Sequence, residues 1–120
     1  MSSSDIDRKI AVIFATDLVG YSKHMEKDED ATLRGLRECN KIIEPLIKKQ
    51  KGRIFNTGGD SVFAEFPSAV AAVNTAVEFQ KQIKARNEKD TTDIKLEYRI
   101  GINMGDVVKE GDNLLGDGVN

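Results

Sequence analysis

The stretch Ile10 to Ala15 (IAVIFA) is apolar at every position, and it constrains the fold more than any other feature of the chain. A strand with one wet face alternates, so an unbroken apolar run of this length predicts a strand buried on both faces. Such a strand lies in the middle of a sheet, and Asp17 then stands at the exit of a central strand. A second pattern supplies a partner. Ile94, Leu96, Tyr98, Ile100 and Ile102 alternate with Lys95, Glu97, Arg99, Gly101 and Asn103, which predicts a half-buried strand with Arg99 on its open face.

Between these two strands, Leu33, Leu36, Ile43, Leu46 and Ile47 recur at helical spacing and predict a helix over about 30–50, with Pro45 as an interruption and Lys51-Gly52 as its stop. Arg53 to Asn56 and Ser61 to Phe66 flank Thr57-Gly58-Gly59-Asp60 and read as a hairpin with Asp60 at its tip. Pro67-Ser68 opens a second helix, whose periodic positions Val70, Val73, Ala76, Val77, Gln80 and Ile83 form the expected buried face. A charged loop follows over 87–93. The order strand, helix, strand, strand, helix, strand predicts an α+β fold of the ferredoxin-like split βαβ type, an antiparallel sheet with both helices on one face.

Composition matters mainly for what it excludes. Eighteen Lys and Arg against 20 Asp and Glu give a net charge of −2, and these charges are scattered, which is not the basic footprint of a nucleic-acid or anionic-lipid binder. A single cysteine, Cys39, forms no internal disulfide and no zinc cluster with the lone His24, in keeping with a reducing cytoplasm. His24, Cys39 and Tyr98 are expected to be an exposed helical histidine, a packed thiol and a core aromatic. No apolar run reaches the roughly 20 residues of a membrane helix, and residues 1–8 read as a flexible N-terminal segment rather than a signal peptide. The domain is expected over 9–120. The chain stops just after a glycine-rich turn has led into Val119, the pattern of a fragment that was cut.

Asp17 and Asp60 end neighbouring central strands in this scheme and can approach each other. Paired oxygen ligands of this kind suit Mg²⁺ or Mn²⁺, with substrate phosphates completing the coordination. Leu18-Val19-Gly20-Tyr21-Ser22 runs into a helix start, where free N–H groups and the helix dipole favour phosphate. Arg99 adds a cation on the open sheet face, unless it merely pairs with Glu97 two residues away.

The phrases IFATDLVGYS, GRIFNTGGDSVFAEFPSAVAAV, YRIGINMGDVV and GDNLLGDGVN together resemble the catalytic domain of the class III adenylate and guanylate cyclases, over nearly the whole chain from Lys9 to Asn120. The resemblance implies that Asp17 and Asp60, with the backbone carbonyl of Leu18, hold two divalent metals. It further implies that Gly20, Tyr21 and Ser22 form a triphosphate loop, that Arg99 contacts the phosphates, and that Asn120 orients the ribose. The implied reaction turns a nucleoside triphosphate, most simply ATP, into a 3′,5′-cyclic nucleotide and pyrophosphate at a homodimer interface. The family's transition-state arginine falls beyond position 120, so the fragment by itself is expected to be inactive. In base recognition the chain departs from the adenylate pattern, with Asn56 where lysine is common and Asn113 where aspartate is common. An amide both donates and accepts, so guanylate cyclase activity is an alternative reading. A catalytically silent, nucleotide-binding regulatory module is another.

Overall fold

The computed structural model describes residues 7–92, 94–116 and 119. Five strands, β1 (Asp7–Leu18), β2 (Arg53–Gly58), β3 (Ser61–Phe66), β4 (Tyr98–Glu110) and β5 (Asn113–Leu115), form one sheet in the order β2-β3-β1-β4-β5. Every pairing is antiparallel. Helices α1 (Tyr21–Lys27), α2 (Glu29–Lys49) and α3 (Ala69–Lys89) complete the split βαβ arrangement.

The central strand is β1, as its apolar run requires. Val12, Phe14 and Leu18 join the main core with the helices, whereas Ala11 and Ile13 meet Val107 and Leu114 on the opposite face. Burial on both sides holds from Ala11 to Phe14, but Ile10 is exposed. The strand begins at Asp7, so Asp7 and Arg8 belong to the sheet and not to an N-terminal tail.

Two N-caps start the long helices. Asp28 accepts the Ala31 N–H at 3.0 Å and Ser68 accepts the Ala71 N–H at 3.1 Å, each satisfying a first-turn donor. Helix α2 continues through Pro45, which lies on its exposed side between Ile43 and Ile47, both 1% exposed. The carbonyl that proline leaves without its helical donor belongs to Lys41, an exposed residue, and packing of the flanking isoleucines holds the helix together. The left-handed residue after α2 is Lys51, not Gly52. Gly52 is needed for a different reason, because a Cβ there would stand 2.7 Å from the Phe66 ring.

Helix α3 buries a different face from the one its valines suggest. Ala71, Ala72, Thr75, Phe79 and Ile83 are buried, and Val70, Val73 and Val77 are exposed. Small side chains let the helix lie close to the sheet, and Phe79 then reaches Tyr98 in an edge-on contact with centroids 5.1 Å apart. The segment before β4 is extended without being a strand, and its buried Ile94 and Leu96 anchor it to the core. Strand β4 itself runs seven residues past the predicted alternation, from Met104 to Glu110. The expected core roles of Cys39 and Tyr98 hold, and burial pushes both the thiol and the phenol above their ordinary pKa values. His24 is half-buried rather than exposed.

Candidate active site

Asp17 lies on the sheet face away from the helices, one position before the end of β1, and its cross-strand partner is Arg99. The register makes an ion pair with both carboxylate oxygens. Arg99 Nε donates to Asp17 Oδ1 at 3.0 Å and the Nη2 to Oδ2 at 2.6 Å. Glu97 is not the partner; its carbonyl instead accepts the Val19 N–H at 2.8 Å, extending the β1 side of the ladder. The hydrogen-bonded Asp17 carboxylate, with Asp60 adding to it, holds the exposed Arg99 guanidinium above its ordinary pKa.

Asp60 stands at the tip of the β2–β3 hairpin, after Gly59 in the left-handed region at φ 55°. Its Oδ2 accepts the Leu18 N–H at 2.9 Å, which holds its carboxylate at the end of β1, at the residue that follows Asp17. Two carboxylates and the Leu18 carbonyl make an all-oxygen donor set, the chemistry that a hard divalent cation requires. Among the described residues no three His, Cys, Asp or Glu side chains cluster as a self-sufficient metal site. Such a donor set fits a hard cation whose remaining oxygens come from elsewhere, as from a substrate.

A cleft of about 820 Å³ opens on this face. Asp17, Arg99, Asn56 and Asn113 are among the residues that line it. The sequence alone does not put Asn56 there, because strict alternation would place it on the same face as Ile54, which packs against the helical core. A bulge corrects this. Ile54 pairs with Ala64 but Asn56 pairs with Phe63, so Phe55 is an extra residue in β2 and Asn56 is turned to the cleft side. Asn113, at the start of β5, uses its side-chain oxygen to accept the Leu114 N–H at 2.9 Å.

Arg53 links the strand that carries Asn56 to the turn that precedes Asn113. Its Nη1 donates to the Asp112 carbonyl at 2.7 Å, tying β2 to the β4–β5 turn. Its Nε binds Glu65 at 2.9 Å, and Lys9 holds the other Glu65 oxygen at 2.8 Å. Burial opposes a charge on Glu65, but the hydrogen bonds from Lys9 and Arg53 outweigh it and keep the carboxyl below its ordinary pKa. Nothing in the composition or periodicity of the chain singles out Arg53 or Glu65; only their cross-strand pairing does.

The proposed triphosphate loop is placed less directly. Gly20, at φ 68°, caps α1, with Tyr21 and Ser22 in its first turn. This loop follows β1 immediately, but it does not line the cleft, and Tyr21 packs against the core. Asn120 lies outside the described residues.

Comparison with known proteins agrees with this geometry. The sequence model described as the adenylate and guanylate cyclase catalytic domain matches residues 3–114. A Rhizobium meliloti (strain 1021) protein named "Putative adenylate cyclase 3" is 41% identical over all of this chain, which spans 21% of that protein. The crystal structure of an adenylate/guanylate cyclase/hydrolase from Silicibacter pomeroyi superposes with a TM-score of 0.85 at 37% identity, over 96% of this chain and 67% of that one. The adenylyl cyclase CyaB from P. aeruginosa superposes with a TM-score of 0.78 at 26% identity, over 95% of this chain and 69% of that one. The split βαβ sheet and the matched sequence are thus parts of one assignment: the chain belongs to the class III adenylate and guanylate cyclase catalytic-domain family.

Proposed function

We propose that this chain provides the metal and base-recognition residues of a nucleotidyl cyclase that converts ATP to 3′,5′-cyclic AMP and pyrophosphate at a homodimer interface in the cytoplasm. The observation that carries this reading is the cleft itself, which collects Asp17, Arg99, Asn56 and Asn113 on one open sheet face. Asp17, Asp60 and the Leu18 carbonyl would hold two Mg²⁺ or Mn²⁺ ions. When bound, such ions lower the pKa of the attacking hydroxyl and neutralise phosphate charge. Arg99 binds the phosphates, with Gly20, Tyr21 and Ser22 beside them, and Asn120 orients the ribose. The ribose 3′-oxygen attacks the α-phosphorus, its proton leaves, and the bond to pyrophosphate breaks. These residues act by positioning and by charge.

A homodimer suits a cleft that stays open on one side, because a second copy facing it would close the site and exclude water. Among the described residues no helix is long and apolar enough to cross a membrane, and the charge pattern offers nucleic acid no footing. The domain proposed is 9–120, to which Asp7 and Arg8 are added as the start of β1. GTP is the second reading for substrate, favoured by the absence of any charged side chain at positions 56 and 113 that would reject guanine. A silent regulatory module is the third, and two retained carboxylates at one strand end argue against it.

The test is cyclic-nucleotide formation with Mn²⁺ and ATP or GTP, in a protein that carries this chain within a full-length catalytic domain. Asp17→Asn and Asp60→Asn should each abolish turnover while leaving the fold intact. Undiminished turnover in either variant defeats the two-metal reading. The 120-residue chain alone should remain at background.

A further inference from the structure

Both oxygens of Asp17 are committed to Arg99, at 3.0 and 2.6 Å. Each Asp17 oxygen keeps a second lone pair, but a divalent cation that takes the carboxylate edge held by the fork displaces the guanidinium from it. We propose that Arg99 is a resident counter-ion of the cation site: it holds Asp17 in place until a divalent cation displaces it, and the displaced guanidinium then becomes the phosphate-binding group. The proposal rests on the reading of Asp17 and Asp60 as cation ligands and adds the order in which their partner changes.

Three observations support the exchange. The pair is directly cross-strand, so backbone register holds both side chains at the spot and the fork needs no other support. Both side chains are substantially exposed, Arg99 at 69% and Asp17 at 39%, and exposed ion pairs are weak enough to be broken by a better ligand. The charge balance also inverts. Two carboxylates and one guanidinium sum to −1, so the set attracts a divalent cation; with that cation bound, the carboxylates and the cation sum to zero, so Asp17 no longer holds Arg99 by net charge and the guanidinium is left to pair with an anion. Arginine suits the part because it stays charged throughout and its planar fork matches carboxylate and phosphate equally well. Cation and polyphosphate then help each other bind, and by linkage the help is mutual.

Phosphate itself ligates metals, so the test must read cation binding with no phosphate present. Mn²⁺ binding to the 120-residue chain is followed by the electron paramagnetic resonance signal of the free ion. Removing the resident guanidinium should tighten binding: Arg99→Ala is expected to gain about threefold to tenfold in Mn²⁺ affinity, the range set by a weak exposed ion pair. Arg99→Lys keeps the charge but lacks the two-pronged fork and should gain part of that increase. Both variants should bind pyrophosphate in the presence of Mn²⁺ less well than the native chain, Arg99→Ala more severely. Equal or weaker Mn²⁺ binding by Arg99→Ala overturns the exchange. So does an Arg99→Lys variant indistinguishable from native, because the gain in Arg99→Ala is then only a change in net charge. A native chain whose Mn²⁺ binding is absent or unaffected by Asp17→Asn overturns the cation reading as well, so the two failures are told apart.

Discussion

The two sides of the cleft are built by opposite means. On the side proposed to hold the cation, uninterrupted β1–β4 register sets Asp17 against Arg99, and a hairpin tip places Asp60, whose carboxylate accepts the Leu18 N–H. On the base side, Asn56 needs a bulge to face the cleft, and Asn113 sits on a three-residue strand tied across by Arg53. One side is a property of the central ladder, the other of irregularities and a tether. Distant changes should therefore disturb base recognition long before they disturb the cation ligands.

The sharpest break within the cation side is Asp17→Asn, which removes a charged ligand without changing volume. Mn²⁺ binding should weaken by at least about a hundredfold, with an unchanged circular dichroism spectrum and melting temperature within a few degrees. On the base side, Gly116→Ala should act through the backbone. Gly116 adopts φ 148° and a Cβ there would meet the Asp106 carbonyl oxygen at 2.9 Å, so the change should cost about 2 kcal/mol in chemical denaturation. It should also raise the KM for nucleotide in a full-length domain while leaving phosphate-free Mn²⁺ affinity unmoved. Equal damage to both would erase the contrast.

Smaller again is the effect of restoring charge. Asn56→Lys with Asn113→Asp should raise the ratio of kcat/KM for ATP over GTP by about tenfold, through one or two charge-assisted bonds to adenine. An unchanged ratio would place base selection elsewhere.

The smallest effect is that of pH on the tether. The Glu65 carboxyl is held below its ordinary value of 4.5, so its pairing with Arg53 and Lys9 contributes in full above that value. The contribution is lost as pH falls through the lower folded value. Its size is about 1 kcal/mol, and Glu65→Gln should flatten this part of the stability profile between pH 5 and 3, a range set by ordinary carboxyl values.

Legibility followed the same division. The IAVIFA run marks the central strand, the glycine pair marks the hairpin, and Asp17 and Asp60 follow as residues at strand exits, because these are properties of short contiguous segments. The partner of Arg99 does not follow, since Glu97 is near in sequence whereas Asp17 is near only once register is known. The buried face of α3 is misread for a related reason. Valines carry the hydrophobic signal, but close approach to the sheet selects Ala71, Ala72 and Thr75. Helix α1 is too short for periodicity to show, and Gly101 and Gly105 weaken the alternation that would have extended β4. A bulge such as that at Phe55 has no signature in residue type, so Asn56 is reachable from resemblance but its orientation is not.

The β1–β4 ladder also sets a schedule for folding. Asp17 and Arg99 are 82 positions apart, so closing the middle of the sheet is a far more distant event than forming the β2–β3 hairpin. Closure entropy grows only slowly with separation, but such non-local pairing still slows folding. During synthesis β1 emerges before β4 and waits for it through roughly 4 to 16 seconds of elongation. It waits with one or both edges unpaired, and its IAVIFA run is the kind of segment that aggregates when exposed. The residue pair that lines the cleft is therefore a late arrival, and its formation reports that the nascent chain has passed its most exposed stage.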